Sequence, residues 1–175
     1  MNKVVRIILI VVVIVAIAIF GFYHFTKSHS PSEKVKIENQ GLKVSVDYCR
    51  PYKKGRKIFG GILPYGKVWR TGANEATVID FNEDVVIGGK ALGKGEYSLW
   101  SIPTETEWTI IFNKETGQWG TSYDGSKDVL KVQVPSQKSK TQSEQFLINL
   151  SPQTDGVDMI LNWDETEVVV PIKRK

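Results

Sequence analysis

The larger part of this sequence predicts an all-β fold, an antiparallel β-sandwich or jelly-roll-like barrel, preceded by a single transmembrane helix. Three observations lead there. Beyond residue 33, apolar and polar residues alternate with period two in segment after segment, and no stripe at helical spacing competes. Asn, Asp and Gly close those segments at short intervals, as tight turns require. Ile7 to Tyr23 is an unbroken apolar run between Arg6 and His24. Its length suits the hydrocarbon of a bilayer, which about 17 to 25 apolar residues span.

Taken in order, residues 1–25 read as the anchor, 26–33 as a polar tether and 34–175 as one β domain. Contact with the membrane falls to residues 4–25. Lys3 and Arg6 precede the apolar run, and positive charge on a short flank favours an amino terminus left in the cytoplasm. That expectation makes the chain a single-pass membrane protein with its domain on the extracytoplasmic side, periplasmic or cell-surface. Ala16-Ile17-Ala18 has the small-x-small form of a signal-peptide cleavage site, so a cleaved leader is the alternative. The anchor reading is preferred because hydrophobicity continues past that site.

Val35 and Ile37 pass through Asn39-Gln40-Gly41 into Leu42, Val44, Val46 and Tyr48, a first hairpin. Thr77 to Phe81, Val85 to Ile87 and Tyr97 to Trp100 follow, with Gly88-Gly89 as a turn and Gly93-Lys94-Gly95 as another. Trp108, Ile110 and Phe112 mark a strand, as do Leu130, Val132 and Val134. Pro135 to Ser143 lacks apolar anchors and reads as a polar connector. Phe146 to Leu150, Val157 to Trp163 and Val168 to Ile172 complete about ten strands, enough for a sandwich or barrel.

Arg50 to Thr77 fits neither period. Five glycines and two prolines break it, yet Ile58, Phe59, Leu63 and Trp69 give it too much apolar surface to stay solvated. It reads as a long ordered loop folded onto the core, and such loops are usually functional. The run W-R-T-G-A-N-E-A-T, following G-R-x-I-F-G-G and P-Y-G, resembles bacterial domain-of-unknown-function family 2911. The resemblance covers the chain after the apolar segment and implies no activity.

Charge and residue inventory exclude several classes. The 23 basic and 19 acidic residues nearly balance once Lys3 and Arg6 are set aside, which argues against a nucleic-acid partner. Both histidines, His24 and His29, lie in or beside the anchor, so a Ser-His-Asp triad or a His-rich metal site within the domain is not expected. Asp80, Glu83 and Asp84 read as a strand end and its turn rather than an oxygen-ligand metal site. Neither metal nor cofactor is expected. Cys49, the one cysteine, reads as a small buried hydrophobe.

Within the loop basic residues accumulate while Glu75 is the single acid, a local field suited to a small anionic or carbohydrate ligand or an envelope partner. The candidate ligand-binding residues are Arg50, Arg56, Trp69, Arg70, Asn74, Glu75 and Trp119, the last as a stacking platform. Arg70 and Glu75 either form a buried pair that pins the loop or face a cleft. Binding is the preferred function. The alternative is a hydrolase or lyase with Glu75 as the catalytic acid or base and Arg70 stabilising negative charge.

Overall fold

In a computed structural model, which describes residues 2–175, the apolar run forms helix α1 (Lys3–His29). β-branched residues are poor helix formers in water. An apolar medium reverses that preference, because a helix satisfies its own backbone hydrogen bonds. The Asn2 side chain caps the first turn by accepting from the Val4 N–H, and Lys27 and His29 place cationic or basic side chains at the negative end of the helix dipole. None of its residues is buried, and by length and composition it can cross a membrane, as an anchor or a signal sequence does.

The stretch 26–33, expected as a tether, is instead the last turn of α1 and the start of the next strand. Thr26 and Ser28 bond back to the carbonyls of Tyr23 and Phe25, which lets the helix continue through polar sequence. Only Ser30 and Pro31 separate helix from strand.

Nine strands follow: β1 (Ser32–Asn39), β2 (Leu42–Cys49), β3 (Thr77–Phe81), β4 (Val85–Ile87), β5 (Lys90–Leu92), β6 (Gly95–Pro103), β7 (Glu107–Asn113), β8 (Asp128–Gln153) and β9 (Gly156–Arg174). Their order is β1-β2-β3-β6-β7-β8-β9-β4-β5, with antiparallel neighbours throughout. The sequence pattern places most of these correctly. Three readings change. Pro135 to Ser143 is strand rather than connector, so two expected strands merge into β8. Val157 to Trp163 and Val168 to Ile172 likewise merge into β9. Lys90–Leu92 is an additional short strand, and Gly93-Lys94-Gly95 joins β5 to β6, which do not pair, rather than closing a hairpin. Its Lys94 N–H is held by the Asp84 carboxylate.

The β8–β9 ribbon bends where its register shifts, between Lys138 and Ser143 and again before Leu147. It thereby serves both halves of the sheet, which fold over each other as a sandwich. Leu42, Val44 and Val46 of β2 share one core with Phe146 and Ile148 of β8 and with Met159, Leu161 and Trp163 of β9. Polar links tie the layers together: the Tyr48 hydroxyl accepts from the Ile148 N–H at 2.9 Å, and Asn39 Nδ2 donates to the carbonyls of Gln153 and Gly156. A smaller cluster, Ala76, Trp100 and Ile111, lies outside the main core under Tyr123. The 50–76 loop inserts Ile58, Phe59 and Trp69 into the main core, where Trp69 stacks on Trp163 with centroids 5.8 Å apart.

Candidate functional site

The loop reaches its functional stretch through a turn that few residues adopt. Thr71 and Asn74 both hold positive φ, 49° and 61°. Asn tolerates this conformation, but a β-branched Thr is strained in it, by about 1 to 3 kcal/mol. Surrounding bonds hold it there. The Thr71 hydroxyl donates to Ser101 Oγ, the Thr77 hydroxyl donates to the Thr71 carbonyl, and Trp69 Nε1 donates to the Gly72 carbonyl. A Cβ on Gly72 would meet Thr77 Oγ1 at 2.9 Å and the Cys49 carbonyl at 3.1 Å, so no larger residue fits without movement.

This turn sends Arg70 and Glu75 in different directions, and they are not a pair. Glu75 Oε2 lies 2.7 Å from Lys27 Nζ at the end of α1. Cys49 Sγ completes the group, 3.2 Å from Lys27 Nζ and 3.5 Å from Glu75 Oε2. A hollow of about 250 Å³ here also touches Ser32, Glu33 and Tyr48. Burial alone would raise the Glu75 carboxyl, but the Lys27 hydrogen bond, its own backbone N–H and the Lys27 charge hold it below the ordinary carboxylate range.

Arg70 faces a separate cleft of about 330 Å³. Its floor is Trp69 and Trp163; Arg70, Lys54, Arg56 and His29 supply its basic wall, and no acidic residue lines it. Arg70 makes no ion pair among the described residues; its Nη1 donates weakly to the Asn74 carbonyl at 3.4 Å. Its stem runs across Gly120, where an added Cβ would lie 2.1 Å from Arg70 Cδ, so glycine there makes room for the arginine. Burial pulls the guanidinium below its ordinary value, and it remains a cation. The indole N–H of Trp163, a residue 2 % exposed, is buried with no hydrogen-bond partner among the described residues.

Of the residues singled out from sequence, Arg56, Trp69 and Arg70 thus come together in one cleft. Arg56 also braces the loop, donating to the carbonyls of Tyr52 and Lys53. Asn74 sits between the two hollows, with its side-chain amide directed at the carbonyls of Thr26 and Ser30 at the end of α1, 3.5 Å from each. Arg50 lies apart, paired with Glu33 at 2.8 Å. Trp119 is half-exposed and bridges the backbone of Glu75. Glu83 pairs with Arg174 and Asp84 with Lys175. Sequence reasoning missed Lys27, His29 and Trp163. The first two lie in what read as tether, and the third shows only strand alternation.

The family model described as Protein of unknown function (DUF2911) matches residues 30–172, and the chain belongs to that family. Arg70, Glu75 and Trp163 lie within the matched residues, whereas Lys27 and His29 lie before them. No curated protein and no solved structure matches the chain.

Proposed function

We propose that this DUF2911 chain is a membrane-anchored, extracytoplasmic binding domain that takes a small anionic ligand, an acidic sugar included, in the Arg70 cleft. The observation that carries the reading is a half-buried arginine without an acid partner, in a cleft whose other charged groups are basic. Burying an unpaired guanidinium is costly, and an incoming carboxylate or phosphate would offset that cost with charge-assisted hydrogen bonds. The indole N–H of Trp163, buried without a partner among the described residues, is a further donor in the lining of the cleft. The extracytoplasmic side is supported by Lys3 and Arg6 ahead of the apolar run. The enzymatic alternative gains nothing from the geometry. Glu75 is held ionised by Lys27, away from Arg70, which disfavours it as a proton donor near neutral pH.

The test is a thermal-shift series on the full chain in a nonionic detergent, with inorganic phosphate, sulfate, acetate and glucuronate, and with glucose as the neutral control. A ligand at about one hundred times its Kd adds roughly 2.7 kcal/mol, several degrees in Tm. At least one anion is expected to give such a shift, and Arg70→Gln to remove it. The substitution itself should cost about 1 kcal/mol or less, because no buried acid is left stranded. A shift that survives in Arg70→Gln, or the absence of any anion-dependent shift, overturns the reading.

A further inference from the structure

Resting on the anion-binding reading of the Arg70 cleft, we infer that its ligand is the phosphate of an anionic phospholipid headgroup in the same membrane that holds α1. The first support is position. His29 and Ser30, at the end of α1, form part of the cleft wall beside Arg70. His29 stands about 9 Å beyond Tyr23 along the helix, at roughly 1.5 Å of rise per residue. The polar zone on each face of a bilayer is about 5 to 8 Å deep, from a hydrocarbon core of about 30 Å within a total of about 40 to 45 Å. Ile7 to Tyr23 rises about 26 Å, roughly 4 Å short of that core, so with the run centred His29 stands about 7 Å past the hydrocarbon, within the polar zone that holds the lipid phosphates.

The second support is the surface of the loop. Ile62, which lines the cleft beside Leu63, is 45 % exposed, and the same loop exposes Tyr65 and Val68. Lys54, Lys57 and Lys67 are exposed among them. Apolar side chains interleaved with lysines, with a tyrosine between, form the mixed surface that settles into a headgroup layer: the apolar groups meet acyl and glycerol carbons while the ammonium groups meet phosphates.

The third is chemistry. A phosphodiester carries one negative charge and several acceptor oxygens. Arg70 can bind two of them through its planar fork, and Lys54 adds a mobile cation at the rim. The acid nearest in sequence to the Trp163 floor, Asp164, is held by Lys53 and Gln142. It does not line the cleft.

The same phosphate chemistry is offered by a free phosphate ester, so the experiment separates the two sources. The full chain in nonionic detergent is titrated, by tryptophan fluorescence, with dihexanoyl phosphatidylglycerol, dihexanoyl phosphatidylcholine and glycerol 3-phosphate. Saturable binding of the phosphatidylglycerol is expected, with glycerol 3-phosphate weaker by about tenfold or more for want of apolar contact with Ile62. Arg70→Gln should abolish the phosphatidylglycerol response. Lys54→Gln, which keeps the backbone N–H that bonds to the Glu144 carboxylate and removes only the charge, should weaken it severalfold. Equal affinity for glycerol 3-phosphate overturns the lipid assignment while leaving an anion site at Arg70. Equal affinity for the zwitterionic lipid also overturns the lipid assignment, and an unchanged response in Arg70→Gln puts the binding elsewhere and overturns the cleft reading with it. No response to any of the three, in a chain that does bind glucuronate or sulfate at Arg70, also refutes the lipid and spares the cleft. No response to any anion at all refutes both readings.

Discussion

Asn74 decides which way its neighbours face. Its left-handed backbone reverses the chain between Arg70 and Glu75, so a cation and an acid close in sequence end in separate hollows. Glu75 then finds Lys27, which is distant in sequence. The contact is partly exposed, so Glu75→Gln should cost about 1 kcal/mol or less near neutral pH. Its pH dependence has a definite sign. The folded carboxyl titrates below the unfolded one, so the unfolded chain binds more protons in acid. The stabilisation is complete above the ordinary glutamate value of about 4.3 and is lost as pH falls through the folded value. Melts of wild type and Glu75→Gln should differ at about pH 7 and converge as pH falls through the folded carboxyl's lowered value. A constant gap across that range would show that the ion pair contributes nothing.

At the scale of elements, the β8–β9 ribbon depends on a bond that alternation cannot reveal. Tyr48 of β2 satisfies the buried N–H of Ile148 in β8. Tyr48→Phe leaves that donor unpaired and should cost about 1 to 3 kcal/mol, measured by denaturant melts; a neutral result would mean water replaces the hydroxyl. The strands that were legible in the sequence are those with one face in the core, such as Leu42 to Cys49 and Thr77 to Phe81, because burial imposes the period of two. Pro135 to Ser143 was not legible. There the ribbon passes between sheet halves, the register jumps from Lys138 to Ser143 so that residues 139–142 have no register partner in β9, and Ser139 is buried by accepting from Asn162 rather than by apolar packing. The site was legible in the same partial way. Glycines and clustered charge marked the loop, but only the fold brings Trp163 and His29 to Arg70.

At the scale of the whole molecule, the proposed extracytoplasmic orientation rests on Lys3 and Arg6 before α1. A reporter active only in the cytoplasm, fused after Lys175, should stay silent in cells. An active fusion would place the domain on the other side and reverse the topology. Sequence alone made the apolar span plain, since hydrophobic length needs no tertiary context. It concealed how closely the span meets the domain.

That junction has a mechanical meaning. With two residues between α1 and β1, and with Lys27 and Asn74 bonding across the join, the domain has no leash. Held in a bilayer, it would be unable to sample the space beyond its own height, and its encounters with other membrane-bound molecules would come from lateral diffusion. Its search for them is then a two-dimensional one, governed by surface density rather than by bulk concentration. A molecule dilute in solution but abundant in the plane would meet the cleft far more often than its overall amount suggests.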